Sequence, residues 1–415
     1  MSAVQAKTIT IIGAGQAGIH AAQSLRKRGF DGVITLLGNE GYAPYQRPPL
    51  SKAFLKGEME EARLTFKPEK FFTDQSIDCH FSCAVEAIDT KNQSVQCDGG
   101  SSFAYDRLII ATGSTPIALP VPGGSLQGVC VLRDLDDSKQ IRECLQDSSR
   151  MVVVGGGYIG LEVASAARQL GLDVTVVERM PRLLSRVTTP PISDFYLNLH
   201  AEHGVDIRLD ESVIEVEGDD KVTGVRLESG EAIAAQVVLV GIGVRPNQQL
   251  ANAAGIACDD GILVDASCRT SDASVYAAGD CARTVINEDS SVRIESVHNA
   301  LVQAEHIAAD IVGDDSPVYD PPWFWSDQYD VKLQTVGLFN DYTDILVRGD
   351  VRGKKFSALY FRDQELIAID AVKDPVSFMA GKQIFRKGIS VQLDDVSDPN
   401  VSLKEFIPRP ALPDN

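Results

Sequence analysis

The stretch "TITIIGAGQAGIHAAQSLRKRG", residues 8–29, runs from a short apolar segment through a glycine-rich turn into a helical pattern. In a strand–turn–helix unit that binds dinucleotides, the first glycine makes the tight turn and the second lets the backbone approach a pyrophosphate. The third lets helix and strand pack closely. These glycines are Gly13, Gly15 and Gly18. The positive end of the helix faces the phosphates, so the stretch predicts a Rossmann-like α/β domain.

The same pattern occurs a second time, in "MVVVGGGYIGLEVASAARQLGLDVTVVER", residues 151–179. Gly155, Gly157 and Gly160 take the positions of the first three glycines, about 142 residues further along. One such glycine turn is a weak signal, whereas two in strand–turn–helix context are a strong one. The spacing is that of domains rather than of a solenoid repeat. We therefore predict two dinucleotide sites.

Two short segments share a buried strand that runs into a turn of small residues: "YDRLIIATGS", residues 105–114, and "SVYAAGDCA", residues 274–282. Since the second lies beyond the second glycine turn, the simplest architecture inserts one nucleotide domain into the other. The stretches "STPIALPVPGG" and "GIGVRPN" mark the exit and the return of the chain.

From Pro321 the pattern changes to alternating strands, including "KFSALYFRDQELIAIDAV", in which Asp363 and Gln364 make a turn. "PVSFMAGKQIFRKG" is predicted to be a helix packed on this sheet, and the tail "PRPALPDN" is loop-like. The prediction is an α/β fold with two Rossmann-like dinucleotide-binding domains, one inserted in the other, plus a small α+β C-terminal domain. The predicted limits are 1–116 and 247–321 for the first domain, 117–246 for the inserted domain and 322–415 for the third.

Length and composition agree with this organisation. At roughly 150 residues per domain, 415 residues indicate two or three domains. With 58 acidic and 39 basic residues, the net charge of −19 repels phosphate backbones and anionic lipid headgroups, so nucleic acid is not expected as a partner. The acidic balance can also serve solubility alone, and it leaves room for a local basic patch such as "GKQIFRKG", residues 381–388. That patch is read either as a partner-docking site or as a solvated helix face.

No signal peptide and no apolar run of ~20 residues is found, so we expect a cytoplasmic protein without membrane contact. The eight cysteines are scattered, with neither CxxC spacing nor a cluster of histidines. We expect free, mostly buried thiols in a reducing compartment and no metal site.

An acidic residue at the end of the second strand of such a unit usually holds the adenosine ribose hydroxyls, and Glu178 takes that position in the second unit. A carboxylate there disfavours a 2′-phosphate, which favours NADH over NADPH. Arg179, Arg182 and Arg186 follow closely and could restore phosphate binding. In the first unit the strand ends in "LLGNE", and Glu40 is its carboxylate.

Five motifs together resemble one family. "PYQRPPLSK", "GGGYIGLEVA", "YAAGDCA", "RIESVHNAL" and "WFWSDQY" are similar to the FAD-dependent, NADH-linked ferredoxin reductases of bacterial monooxygenase and dioxygenase systems, the putidaredoxin reductase type of the pyridine nucleotide-disulfide oxidoreductase superfamily. The resemblance spans essentially the whole chain. It implies FAD in the first domain, NADH in the inserted domain and a [2Fe-2S] ferredoxin acceptor that supplies a cytochrome P450 or a Rieske-type oxygenase. It is consistent with a monomer or a weak dimer.

Residue by residue, the resemblance implies contacts with both cofactors. The implied FAD contacts are Gly13, Gly15, Ala17, Gly18, Asn39, Glu40, Arg47, Lys52, Val85, Ala111, Thr112, Gly113, Arg133, Gly279, Asp280, Val297 and Trp325. The implied NAD contacts are Gly155, Gly157, Tyr158, Ile159, Gly160, Glu162, Glu178, Gly241 and Gly243. Two positions depart: Asn39 stands where the family commonly has aspartate, and His298 stands where this type has proline. His298 would lie near the flavin ring, or it is only a changed loop residue.

Three further residues admit two readings each. Asp280 follows Ala-Ala-Gly at a strand end, where a carboxylate accepts hydrogen bonds from the ribityl hydroxyls of a flavin; it could instead be a helix N-cap. Trp325 would lie beside the isoalloxazine, or it is plain core. Lys52 would stabilise negative charge on the reduced flavin, with the ammonium fixed by Glu162. The alternative is a surface lysine and a helix-surface glutamate. The implied catalytic set is Lys52, Glu162 and Trp325.

Electron counting explains why a flavin is needed. NADH delivers two electrons as a hydride, whereas a [2Fe-2S] centre accepts one at a time. A disulfide reductase or a cysteine-dependent NADH oxidase or peroxidase needs a thiol pair, yet no cysteine precedes Ile77. An interaction flavoprotein like apoptosis-inducing factor would favour a basic surface or a targeting segment, and the sequence indicates neither. In "APYQRPPLSKAFLKG", residues 43–57, Pro48 or Pro49 is predicted to start a short helix, so that Arg47 and Lys52 face the cofactor.

Overall fold

A five-stranded parallel sheet carries the first glycine turn. The computed structural model describes residues 6–287 and 290–408, and the strand order in this sheet is β3–β2–β1–β7–β19. Its strands are β1 Thr8–Ile12, β2 Val33–Leu37, β3 Ile77–His80, β7 Arg107–Ile110 and β19 Val275–Ala277. Because β19 comes from far beyond the second glycine turn, the chain leaves this sheet and returns to complete it. The predicted insertion is confirmed.

Helices and small sheets surround this first sheet. The helices are α1 Gln16–Lys27, α2 Glu69–Asp74, α6 Gln249–Ala253 and α7 Val297–Val312. The small sheets are β4 Val85–Asp89 with β5 Ser94–Cys97 and β6 Ser102–Ala104, β8 Ser114–Pro116 with β17 Val244–Pro246, and β18 Ile262–Val264 with β20 Ala282–Asn287 and β21 Ser290–Val292. Small buried side chains such as Ala21 and Ala304 let α1 and α7 pack in one apolar cluster.

A second parallel sheet, of order β12–β11–β10–β16–β9, carries the second glycine turn. Its strands are β9 Val129–Cys130, β10 Arg150–Val154, β11 Asp173–Glu178, β12 Asp206–Leu209 and β16 Val237–Val240. The helices are α3 Leu135–Gln146, α4 Tyr158–Gln169 and α5 Pro190–Glu202, and a three-stranded antiparallel sheet adds β13 Val213–Glu217, β14 Gly224–Leu227 and β15 Ala232–Ala234. β16 is entirely apolar and buried, as an interior strand of a covered parallel sheet requires.

The C-terminal part is the predicted antiparallel sheet with a helix packed on it. The strands are β22 Trp323–Gln328, β23 Val331–Gly337, β24 Asp344–Asp350, β25 Lys355–Arg362 and β26 Glu365–Val372, in the order β22–β23–β26–β25–β24, and the helix is α8 Pro375–Arg386. Asp363 and Gln364 both have positive φ, 49° and 72°, as a two-residue hairpin turn demands. Of the tail predicted to be loop-like, residues 409–415 lie outside the described residues.

Short 3-10 helices connect the larger elements: Pro48–Ser51, Glu61–Arg63, Asp98–Gly100, Gly279–Cys281, Asp394–Val396 and Leu403–Phe406. The first of these begins at Pro48, as predicted. No helix within residues 6–287 and 290–408 combines the length and the apolarity that crossing a bilayer requires.

The described residues form two compact units. The first unit comprises residues 6–49, 59–116, 244–287 and 290–318, and the second comprises residues 50–58, 117–243 and 319–408. In the second unit the inserted sheet and the C-terminal sheet share one core, in which Val176, Tyr196 and Tyr360 are fully buried. The short segment 50–58 packs there too: Leu55 joins that core, and Ser138 Oγ donates a 2.8 Å hydrogen bond to the carbonyl of Leu50. The exact domain limits stay a prediction.

Candidate functional site

In the first glycine turn, two of the three glycines are required because a side chain there would collide with the backbone, and one is not. Gly13 has φ +110°, and a Cβ on it would lie 2.1 Å from the carbonyl oxygen of Ala111. A Cβ on Gly18 would lie 1.9 Å from the carbonyl oxygen of Gly13. A Cβ on Gly15, by contrast, would meet no atom within 4 Å. Gly15 is also the N-cap residue of α1 and provides no side-chain cap, so this turn leaves room for a ligand pyrophosphate at an open helix N-terminus.

Four neighbouring strands of the first sheet end at residues predicted to contact FAD. Gly13 follows β1, Asn39 and Glu40 follow β2, residues 111–113 follow β7, and Gly279 and Asp280 follow β19. The carboxyl ends of parallel strands are where open α/β sheets bind ligands. The sheet therefore brings these residues to one edge, which fits the adenine dinucleotide portion of FAD.

Glu40 has its ion-pair and hydrogen-bond partners within its own loop. Its carboxylate accepts hydrogen bonds from the hydroxyl of Tyr45 and from Arg47 Nη2, the latter at 2.5 Å. The guanidinium of Arg47 also lies over the Tyr45 ring, 5.3 Å from its centroid. Sequence reasoning named Glu40 and Arg47 but missed Tyr45, which orients both of them.

The turn after β7 is fixed by Asn247, another residue that sequence reasoning missed. Its amide Nδ2 donates to the carbonyl of Thr112 at 2.9 Å, and Thr112 Oγ1 donates to the backbone carbonyl of Asn247 at 2.7 Å. Nearby, Ser114 Oγ donates to Asp280 Oδ2 at 3.0 Å. Asp280 lies inside the short helix Gly279–Cys281, whose N-cap is a different residue, so the N-cap reading of Asp280 is wrong.

Two other predicted residues of the first unit are now located. Val85 begins β4, and Val297 begins α7, whose N-cap Ser296 accepts a hydrogen bond from the backbone of Asn299. His298 is the second residue of α7 and only 5% exposed. The interpretation of His298 as a loop residue is therefore wrong.

The second glycine turn repeats the geometry of the first. A Cβ on Gly155 would lie 2.4 Å from the carbonyl oxygen of Gly241, and one on Gly160 would lie 2.3 Å from the carbonyl oxygen of Gly155. A Cβ on Gly157 would meet only one atom, at 4.0 Å. Gly243, on the facing turn, has φ +124°. This turn too has room for a pyrophosphate, so the chain fits two dinucleotides.

Glu178 closes the second turn from β11. Its Oε2 accepts from the backbone N–H of Gly156 at 2.7 Å, and its Oε1 accepts from that of Met180 at 2.8 Å. Of the arginines that follow, Arg182 is committed to Ser193 Oγ at 2.6 Å. Arg179 and Arg186 are exposed. Glu178 thus fixes the turn through two backbone N–H groups, and its contact with the ribose of NADH stays a prediction.

Two predicted NAD residues begin α4. Tyr158 packs its ring 4.6 Å from that of Phe324, and burial raises the pKa of its hydroxyl. Ile159 is 46% exposed, and its contact with NAD stays a prediction.

Lys52 and Glu162 form an ion pair inside the second unit, with 2.5 Å between Nζ and Oε2. Ser51 Oγ donates to the same oxygen at 2.5 Å, and Ser326 Oγ donates to Oε1 at 2.6 Å. Glu162 is 3% exposed, so the reading as a surface lysine and a surface glutamate is wrong. A buried carboxylate needs such partners, because an unpaired one is strongly destabilising.

The remaining FAD residues of the second unit lie on separate elements. Arg133 precedes α3, and its backbone N–H donates to Asp137 Oδ2 at 2.7 Å. Trp325 lies in β22, is partly exposed, and has its ring centroid 5.5 Å from that of Trp323. Because it is not fully buried, the reading of Trp325 as plain core does not describe it.

A chain of donors leads from α5 to Glu162. The Tyr329 hydroxyl lies 3.3 Å from His200 Nδ1, and His200 Nε2 lies 2.7 Å from Gln328 Oε1. Gln328 Nε2 in turn donates to Ser326 Oγ at 3.2 Å. All these bonds point the same way if His200 is neutral and carries its proton on Nε2. Burial lowers the pKa of His200 from 6.5 to about 4, which agrees with the neutral form.

This histidine makes stability depend on pH. Above pH 6.5, His200 is neutral in both the folded and the unfolded chain. As the pH falls from 6.5 to about 4, only the unfolded chain takes up the proton, so the wild type loses about 3 kcal/mol of unfolding free energy through this residue. The variant His200→Gln keeps an N–H donor and should lack this loss. Urea unfolding at several pH values measures both slopes, and equal slopes would contradict the prediction.

The chain is similar in sequence to two known protein families. Residues 7–304 match the model of the pyridine nucleotide-disulphide oxidoreductase family, and residues 323–407 match a reductase C-terminal domain. The chain belongs to the pyridine nucleotide-disulphide oxidoreductase family. This family of oxidoreductases binds FAD and NAD(H).

Several relatives of this family cover nearly the whole chain. Rhodocoxin reductase of Rhodococcus erythropolis is 41% identical over 404 residues, with 97% of this chain and 95% of the relative covered. Putidaredoxin reductase of Pseudomonas putida is 41% identical over 406 residues, with 96% of each covered. The crystal structure of the covalent putidaredoxin reductase–putidaredoxin complex matches with a TM-score of 0.93 at 41% identity, covering 96% of this chain and 98% of that one.

Although the family is named for disulphide chemistry, this member carries no disulfide among its cysteines, all eight of which lie in described residues. Four of them are buried and the other four are partly buried; the buried ones are Cys97, Cys130, Cys268 and Cys281. The expectation of mostly buried thiols therefore holds for half of the cysteines. Burial raises the pKa of Cys79, the first along the chain, to about 11. That thiol stays protonated at neutral pH and is a poor nucleophile. Within the described parts of the chain, no three His, Cys, Asp or Glu side chains gather as metal ligands.

Proposed function

We propose that this chain is an NADH-dependent ferredoxin reductase, whose first glycine turn would hold FAD and whose second would hold NADH. When bound, FAD would supply the conversion of a two-electron hydride from NADH into single electrons for a [2Fe-2S] ferredoxin. The observation that carries the proposal is the pair of glycine turns whose second glycines, Gly15 and Gly157, each leave space that the fold itself does not use. Relatives named rhodocoxin reductase and putidaredoxin reductase support the choice of acceptor.

The residues divide into two sets. For FAD we propose the contacts at the carboxyl edge of the first sheet together with Arg47, Lys52, Val85, Arg133, Val297 and Trp325. For NADH we propose the second glycine turn, Glu178, and the facing turn of Gly241 and Gly243. Lys52 carries a positive charge toward the flavin, Glu162 fixes its ammonium, and Trp325 offers a partly exposed aromatic surface. No residue is required as a nucleophile.

We place the protein in an electron-transfer chain of the cytoplasm. Its ferredoxin would supply a cytochrome P450 or a Rieske-type oxygenase, and the reductase itself would be a monomer or a weak dimer. Eight cysteines without a disulfide support a reducing compartment. For the basic patch of residues 381–388, the two readings, a docking site for the ferredoxin and a solvated helix face, both stay open.

Ferredoxin dependence tests this function directly. The purified protein should be yellow, and NADH should bleach it faster than NADPH, because Glu178 repels a 2′-phosphate. Cytochrome c reduction should be fast only after a [2Fe-2S] ferredoxin is added, and oxygen consumption without ferredoxin is the control. Equal cytochrome c reduction with and without ferredoxin would overturn the proposal.

A further inference from the structure

Asp370, in β26, is a buried carboxylate whose partners are all hydroxyls. It is 0% exposed; Thr188 Oγ1 and the Tyr360 hydroxyl donate to its Oδ2 at 2.8 and 2.7 Å, and Thr335 Oγ1 donates to its Oδ1 at 2.5 Å. Among the residues that the structure describes, no basic side chain lies within ion-pair distance of it. Burial raises the pKa of this carboxyl, and the hydroxyl donors oppose that rise. Burying a carboxylate costs free energy, which its hydrogen-bond partners must offset.

Asp370 holds the end of one short segment, residues 183–189, which we call the nucleotide segment. Thr188 reaches the carboxylate directly, and Thr189 Oγ1 lies 2.9 Å from the Tyr360 hydroxyl. Thr189 is also the N-cap residue of α5, yet its side chain makes no cap hydrogen bond. A threonine in that position normally satisfies a backbone N–H of its own helix. Both threonines are therefore committed to the C-terminal sheet.

The other end of the nucleotide segment lies against the second glycine turn. The backbone N–H of Leu184 donates to the carbonyl of Gly156 at 2.9 Å, and Leu184 holds a positive φ of 55°. Arg186 Nη2 donates to the carbonyl of Ile242 at 3.3 Å, on the facing turn. The segment thus contacts both turns that we propose to bind NADH, and its strained backbone would not keep this path without an anchor.

We propose that Asp370 is a positioning residue for NADH: it anchors the nucleotide segment against the second glycine turn, directly through Thr188 and through Tyr360 to Thr189. The C-terminal sheet then sets the affinity for NADH without contacting it. This inference rests on the proposed function, specifically on NADH binding at the second glycine turn.

The test compares the FAD-loaded wild type with Thr188→Val and Tyr360→Phe, both nearly isosteric. Each should raise the Kd for NADH about tenfold, the effect of one lost hydrogen bond to a charged group, and should leave the rate of flavin reduction at saturating NADH within about twofold. Amide hydrogen exchange of residues 183–189 should quicken in both variants. Ser357→Ala is the matched control, because Ser357 lies in β25 of the same sheet but its Oγ donates to the carboxylate of Asp374, the N-cap residue of α8, and not to Asp370.

Each outcome decides a different point. Unchanged exchange in both variants would overturn the anchor. Faster exchange with an unchanged Kd would overturn the positioning role, and so would a Kd in Ser357→Ala raised as far as in Thr188→Val. If NADH fails to reduce the wild type itself, the proposed function fails, while the exchange data still test the anchor.

Discussion

Replacing Gly15 by alanine is expected to give a folded protein that has lost its flavin. The new methyl group would enter space where no protein atom lies within 4 Å, and the backbone there has an ordinary φ of −82°. If the FAD pyrophosphate lies against this glycine, the methyl group overpacks it and weakens FAD binding by about 100-fold. FAD content of the purified variant, read from its visible absorbance, and titration of the apoprotein with FAD measure the effect.

Two other glycines make this experiment specific. Gly18→Ala, unlike Gly15→Ala, should destabilise the apoprotein itself, because its methyl group would lie 1.9 Å from a backbone oxygen. Gly157→Ala should keep FAD and lose affinity for NADH. Gly157 leaves space for a ligand in the second turn, as Gly15 does in the first. A Gly15→Ala variant that binds FAD like the wild type would exclude the first turn as the flavin site.

Replacing Lys52 by methionine is expected to keep FAD bound and slow its reduction by NADH about 100-fold. Loss of one preorganised charge or donor costs roughly that factor in other enzymes. Methionine preserves most of the side-chain volume, so the change removes the charge rather than the packing. Stopped-flow absorbance at saturating NADH measures the rate, and flavin content and thermal unfolding report on integrity.

The neighbouring Lys56 provides the matched control. It lies in the same short segment, but its ion pair, at 2.8 Å, is with the 59% exposed Glu58 rather than with a buried carboxylate. Lys56→Met should therefore reduce flavin at the wild-type rate. Because Lys52→Met leaves Glu162 buried beside two serine hydroxyls, the double variant Lys52→Met with Glu162→Gln should recover stability but not rate. A wild-type rate in Lys52→Met would remove the catalytic role.

The elements of this fold were predictable because they depend on local patterns. The glycine turns, the strands that flank them and the hairpin at Asp363 and Gln364 each follow from a few consecutive residues. The ion pair of Lys52 and Glu162 is separated by 110 residues in sequence, and it was predicted only through the resemblance to a family. Spacing alone gives no reason to pair these two residues.

The polar networks around the site were not predictable in the same way. Ser326 contributes to the Glu162 carboxylate from 164 residues away, and Thr188 meets Asp370 from 182 residues away. Serine and threonine hydroxyls carry no pattern that distinguishes a buried partner from a solvated side chain. His298 was misread for a similar reason: a residue just after a serine N-cap looks like the end of a loop until the helix is located.

The common core of the inserted sheet and the C-terminal sheet limits how this protein can be recombined. Phe195 of α5 packs its ring 5.1 Å from that of Phe356 in β25, and Tyr158 of α4 meets Phe324 in β22. A chimera that takes its C-terminal module from another reductase would place foreign side chains against helices shaped for Phe356 and Phe324. Exchange of the C-terminal module between reductases would thus require α4 and α5 to be transferred together with it.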